Sequence, residues 1–209
     1  MSDDRLMRFV LALRQAGVTD ARTLSALERT PRAVYAPTHL AGLALDDVAL
    51  PLAHTQMMTK ASIVGRVLAA LAPEPGDSVL EIGTGSGYQA AAIAELAQKV
   101  VSLDRWRDIV ANARERLARA RQKRVIVHLA DGYDGWALDA PYDRIVVNAA
   151  VTQIPPPLLD QLRVDGVLIA PVGGAEGQRL IRYRNTQAED LGPVTFQLLE
   201  RGMGDEPQA

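Results

Sequence analysis

Three glycines in a five-residue run, Gly83-Thr84-Gly85-Ser86-Gly87, stand where a short apolar stretch ends and an alanine-rich one begins. Strand, tight loop and helix start in that order let a ligand touch backbone with no side chain in the way. The apolar stretch, Val79-Leu80-Glu81-Ile82, places an acid at the mouth of the loop. A dinucleotide fingerprint reads G-x-G-x-x-G and sets a pyrophosphate on the helix N-terminus. Here the spacing is G-x-G-x-G, and a carboxylate at that point would repel a pyrophosphate. It suits a ligand with an ammonium or sulfonium charge, as S-adenosylmethionine has. Asp104, with Arg105 beside it, closes the next apolar run at the distance where an acid reaches ribose hydroxyls. Each feature alone has a structural reading, and together they favour a methyl-donor site over a nicotinamide site.

Positioning these residues takes a sheet. From Ser78 onward strand and helix patterns alternate, which points to a mostly parallel, doubly wound α/β sheet of Rossmann-like type, covered on both faces. Strands are expected at 78–82, 100–103, 125–129, 144–148 and 167–170, with helices at 88–98, through Leu117, and from Pro155 to Leu162. Residues 180–184 and 194–199 read as a closing antiparallel pair, and the polar end from Gly202 reads as frayed. Upstream, Leu6, Phe9, Val10 and Leu13 recur at helical spacing. A second helix is expected from Thr19-Asp20 to Arg29 and a third from Ile63 to Leu71, with an irregular stretch from Thr30 to Ala53 and residues Met57 to Ser62 leading into the third helix. Residues 1–60 thus form a helical cap and loop on a core of 61–209, all in one domain.

Ligands of such sheets sit beyond the carboxyl ends of the strands, where strand order reverses. Glu81, Asp104, Asp131 and Asn148 close the first four strands in turn. Asp131-Gly132 is placed for a carboxylate to meet an adenine amino group. The competing reading is that Asp and Asn favour strand-ending turns.

Composition excludes several classes. The 209 residues carry a net charge of −2 and no cysteine, so no strong field draws nucleic acid or a membrane and no thiol chemistry is available. His39, His54 and His128 lack ligand spacing, so no metal site is expected. The basic run from Arg114 to Arg124 reads as a solvated helix end. No basic-plus-apolar leader opens the sequence, which makes the cytoplasm the expected compartment. Trp106 and Trp136 pack around either an adenine or the core; Met57-Met58 lines a peptide slot or is ordinary packing.

The sequence resembles the protein-L-isoaspartate (D-aspartate) O-methyltransferase family. The residues that carry this are Val79 to Ala90 (V-L-E-I-G-T-G-S-G-Y-Q-A), Ala130 to Trp136 (A-D-G-Y-D-G-W), Tyr142 to Val147, and the P-V-G turn at Pro171-Val172-Gly173. Upstream, Pro31-Arg32-Ala33-Val34-Tyr35-Ala36-Pro37 is similar to the family's P-R-x-x-F-V-P, and Leu50-Pro51-Leu52 to its L-P-I. The resemblance implies repair of damaged proteins. The methyl of S-adenosylmethionine passes to the free α-carboxylate of an L-isoaspartyl residue, leaving S-adenosyl-L-homocysteine, and the ester collapses to a succinimide that can reopen as aspartate. It implies that Thr59 stands at the family's serine position beside the methyl, with Glu81, Gly83, Thr84, Gly85, Gly87, Asp104, Arg105, Asp131, Gly132, Asn148 and Gln178 on the cofactor side. The acceptor loop departs from the family pattern: Thr55 replaces Gly, Met57 replaces Thr, Lys60 is charged and Ala61 replaces Pro. Asn148 and the segment Val194 to Leu199 depart too. A related methyltransferase with another acceptor, or a cofactor binder without turnover, therefore stay open as alternatives.

Overall fold

The computed structural model describes residues 3–204. Helices α1 (Asp3–Gln15) and α2 (Ala21–Arg29) open the chain, and the Asp20 carboxylate caps α2 by accepting from the Thr23 N–H at 2.7 Å. A short α3 (Arg32–Tyr35) and a 3-10 turn (Thr38–Leu43) follow. The stretch expected to be irregular contributes β1 (Leu50–Pro51), which pairs antiparallel with β2 (Met57–Met58) in the segment leading into α4 (Ala61–Leu71).

Seven strands then form one sheet. In chain order the elements are β3 (Ser78–Ile82), α5 (Tyr88–Ala94), β4 (Lys99–Asp104), α6 (Arg107–Arg119), β5 (Val125–Leu129), β6 (Tyr142–Val147), α7 (Pro156–Asp160), β7 (Leu162–Gly174), β8 (Gly177–Arg184) and β9 (Gln187–Val194). The order across the sheet is β5-β4-β3-β6-β7-β8-β9, parallel through β7 and antiparallel beyond it. Strand order reverses between β3 and β6, so a crevice opens at their carboxyl ends.

Side chains alternate along the strands, and each parity belongs to a different core. Val79, Val100, Val146 and Ile169 pack with the helices of one face, under α2, α4 and α5. Leu80, Val101, Ile145 and Leu168 pack on the other face, against Tyr142 and Leu158.

The closing pair is real but shifted. The partner of β8 is β9, not the segment 194–199, because Asn185 and Thr186 both take left-handed backbone (φ 49° and 63°) and turn the chain at once. Residues 195–204 then run back over the sheet's carboxyl edge. The end expected to fray is tied through Gly204, whose N–H donates to the Arg105 carbonyl at 2.9 Å; residues 205–209 lie outside those described. No described helix is long and apolar enough to cross a membrane.

Candidate active site

At the β3/β6 switch point the register sets Ile82 beside Val147, so the residues that follow them, Gly83 and Asn148, meet. Gly83 has φ +89°, and a Cβ there would lie 3.2 Å from the Asn148 Cβ; only glycine fits without strain. Gly132 allows a second close approach, since a Cβ there would come within 2.3 Å of Ile82. Around these points lies a cavity of about 620 Å³, inside the ~300–1,000 Å³ range of small-molecule sites. Its floor is Ile82-Gly83, Leu103 to Trp106, Gly132 and Asn148. His54 to Gln56 form one side and Gln197 to Glu200 the roof.

The acid on that floor is Asp104. Its carboxylate accepts from the Gly85 N–H at 3.0 Å and the Trp106 N–H at 3.2 Å. Lone pairs remain on both oxygens. Burial raises its pKa, against the backbone N–H groups of Gly85, Trp106 and Arg105 that lower it.

Glu81 does not guard the loop. It is 0% exposed, lies on the parity of Val79, and is absent from the cavity wall. Register pairing with Ser102 brings the Ser102 hydroxyl to its carboxyl at 2.6 Å, and the Asn148 amide donates to the other oxygen at 3.1 Å. Burial outweighs these bonds and pushes the Glu81 pKa up to about 8. The neutral form therefore dominates at pH 7, and Glu81 bears on the cavity through Asn148, which also donates to the Gly83 carbonyl at 3.0 Å. The acid that faces the cavity is thus Asp104, not Glu81.

The other expected residues divide. Gly83, Asp104, Arg105, Gly132 and Asn148 reach the large cavity, while Thr84 and Gly85 line a smaller one of about 60 Å³ next to it. Gly87 sits behind, a left-handed N-cap of α5 against Ala113 and Leu117. Asp131 is off the cavity wall. Its carboxylate accepts from the N–H groups of Tyr133 at 2.9 Å and Gly202 at 2.6 Å, so it anchors the tail where an adenine contact was expected. Gln178 is a second anchor: it donates to the Phe196 carbonyl at 2.9 Å and accepts from the Phe196 N–H at 2.7 Å.

Sequence reasoning missed the tail as a wall. The Ala150 N–H donates to the Gln197 carbonyl at 2.7 Å, and Leu199 N–H to the Ala150 carbonyl at 2.8 Å. Arg105 pairs with Glu200 and donates to the Met203 carbonyl at 3.2 Å. On the opposite wall His54 stacks on Trp106, with ring centroids 3.8 Å apart, and its Nε2 meets the Asp108 carboxylate at 2.9 Å. Trp106 is therefore the tryptophan of the cavity; Trp136 stacks on His128 and packs with the core.

A third space, about 500 Å³, adjoins the first. Gln56, Asn148, Ala149, Gln197 and Leu198 line both. Thr59 faces this groove and the small cavity as well, and its hydroxyl bonds to no described residue. The loop that carries it hangs on Arg32, only 1% exposed, which donates to the carbonyls of Ala44 (3.0 Å), Asp46 (3.4 Å), Val48 (2.9 Å) and Thr59 (3.0 Å). Met57 and Met58 part ways: Met57 is 47% exposed on the groove and Met58 is core. Among the described residues no group of three or more His, Asp or Glu could hold a metal ion.

Residues 4–196 match the family model described as Protein-L-isoaspartate(D-aspartate) O-methyltransferase (PCMT). The chain belongs to that family. It is 42% identical over 208 residues to the protein-L-isoaspartate O-methyltransferase of Cereibacter sphaeroides, covering 97% of this chain and 95% of that one. The enzyme of the same name from Paramagnetospirillum magneticum is 38% identical over 211 residues, with 98% and 99% covered. Among solved structures, the fold superposes on a protein-L-isoaspartate O-methyltransferase with a TM-score of 0.83 at 23% identity, over 95% of this chain and 67% of that one. It superposes on the Plasmodium falciparum protein crystallised with S-adenosyl-L-homocysteine with a TM-score of 0.81 at 20% identity, over 93% and 98%. The departures from the family pattern at Thr55, Met57, Lys60 and Val194 to Leu199 fall on the cavity side walls, the roof or the groove, whereas Ala61 is buried in the core. On the floor, Gly83 and Gly132 belong to the motifs that resemble the family's, whereas Asn148 departs.

Proposed function

We propose that this chain repairs damaged proteins by moving the methyl of S-adenosylmethionine to the free α-carboxylate of L-isoaspartyl residues. The observation that carries the reading, beside family membership, is that a roofed cavity with an acid on its floor shares a wall with a groove lined by Thr59, whose hydroxyl has no partner among the described residues. The cavity fits the donor: glycine backbone at Gly83 gives close approach, and Asp104 offers unfilled lone pairs where ribose hydroxyls need acceptors. Asn148 and the Thr84-Gly85 backbone would hold the donor's amino-acid end, and Trp106 and Gly132 would hold its flat base.

When bound, S-adenosylmethionine supplies an electrophilic methyl on a cationic sulfur. The acceptor carboxylate is already anionic at neutral pH, so this chain supplies no strong base. Thr59 donates its hydroxyl to one carboxylate oxygen and so fixes the aim of the other, which takes the methyl. Arg32 holds Thr59 through its carbonyl. The tail from Gln197 to Glu200, tied to Ala150 and Arg105, keeps water off the reacting atoms. The chain acts as one catalytic unit, cap and core together, in the cytoplasm, on proteins rather than nucleic acid.

Labelled methyl transfer tests the reading. Alkali-labile ester on an isoaspartyl peptide, with none on its aspartyl twin or on RNA, is the expected result. Transfer to RNA, or cofactor uptake with no transfer to the isoaspartyl peptide, would overturn it.

A further inference from the structure

Among the described residues, Lys60 is the one charged side chain on the acceptor groove. It is exposed, and its ammonium has no partner among the described residues. The rest of the wall is apolar or neutral: Met57, Ile63, Val194, Phe196 and Leu198 with a few amides and hydroxyls. The carboxylate that meets Ser62, two residues on, is that of Asp47, and it is already engaged, accepting from the Ser62 N–H at 2.9 Å and the Ser62 hydroxyl at 2.6 Å. Lys60 is also the N-cap of α4, where a cation opposes the helix dipole, so it contributes nothing to the helix by its charge. An unpaired ammonium in an otherwise uncharged groove attracts an anion and disfavours a cation.

We infer that Lys60 is a substrate-recognition residue that selects isoaspartyl peptides with an acidic side chain next to the isoaspartyl residue. The inference rests on the methyl-transfer reading for the identity of the peptide, and the groove's charge fixes its sequence context. Lys60 follows Thr59 directly, and adjacent Cα atoms lie about 3.8 Å apart. An ammonium on that neighbour reaches the residue beside an acceptor held at Thr59. A Lys60 that held the reacting carboxylate itself would act alike on all peptides. That separates the two roles.

The test uses the full chain and isoaspartyl peptides that differ only in Glu or Gln directly before or after the isoaspartyl residue. Both methyl transfer and binding of the labelled peptide with S-adenosyl-L-homocysteine present are measured. At low salt the Glu peptide is preferred on one side by about fivefold, the size of an exposed ion pair. The preference fades as salt rises. Lys60→Gln removes it and Lys60→Glu reverses it. Equal kcat/KM and equal binding for Glu and Gln peptides on both sides would overturn the inference while leaving the methyl-transfer reading intact. So would a Lys60→Gln loss of the same size for every peptide. Charge-dependent binding without any methyl transfer would count against the reaction and leave the inference standing.

Discussion

The donor cavity and the acceptor groove meet at Gln56, Asn148 and Gln197, yet they are built from different materials. The cavity floor is the sheet itself: the carboxyl ends of β3, β4 and β6, held in register and backed by the chain Thr84–Ser102–Glu81–Asn148. The groove is walled by a two-residue hairpin strand, one helix start and the returning segment 194–198, all outside the parallel core. Core strands fix atoms through packing on both faces, whereas the groove depends on a few long-range bonds. The half that must present one small molecule in one pose is held by the sheet, and the half that meets varied proteins carries the departures at Met57, Lys60 and Val194 to Phe196.

The largest test of that contrast concerns Glu81, whose pKa of about 8 lies above its ordinary value of 4.5. The folded state holds this proton more tightly than the unfolded chain, so the native protein binds more protons through the window between them. Stability therefore falls as pH rises from 4.5 to 8, by several kcal/mol, on the order of 4. Glu81→Gln should flatten that slope in denaturant titrations run across the window; an unchanged slope would break the picture of a buried neutral acid behind the loop.

Arg32 comes next. Replacing it with Met strands four carbonyls of the loop, and denaturant unfolding should show a loss of about 3 kcal/mol. A loss under about 1 kcal/mol would mean that the groove stands without it. Thr59→Ala should lower kcat about 10²-fold, the cost of one donor aimed at reacting oxygens. Thr59→Ser should restore most of the rate, because the hydroxyl is what acts.

How much of this was legible beforehand follows the same division. The parallel strands could be read because their apolar runs are continuous and their separators strong. Glu81 was misplaced, although its own strand held the answer: Val79 and Glu81 share a parity, and that parity faces the helices. Asp131 and Gln178 were legible as polar residues near the right edge, but their partners are backbone groups of a tail with no periodicity of its own. The 194–199 strand was misassigned because the Asn185-Thr186 turn carries no glycine to announce it. No local pattern could have revealed that Gln197 to Glu200 roof the cavity, since the bonds that hold them there span 47 residues or more.

A single calorimetric series bears on the division of labour most directly: S-adenosyl-L-homocysteine titrated into the wild type, Asp104→Asn and Thr59→Ala. Loss of a charge-assisted acceptor should weaken binding to Asp104→Asn about tenfold, while Thr59→Ala binds as the wild type does. Equal weakening of both variants, or no heat with the wild type, would contradict a donor cavity that is built by the sheet and separate from the acceptor groove.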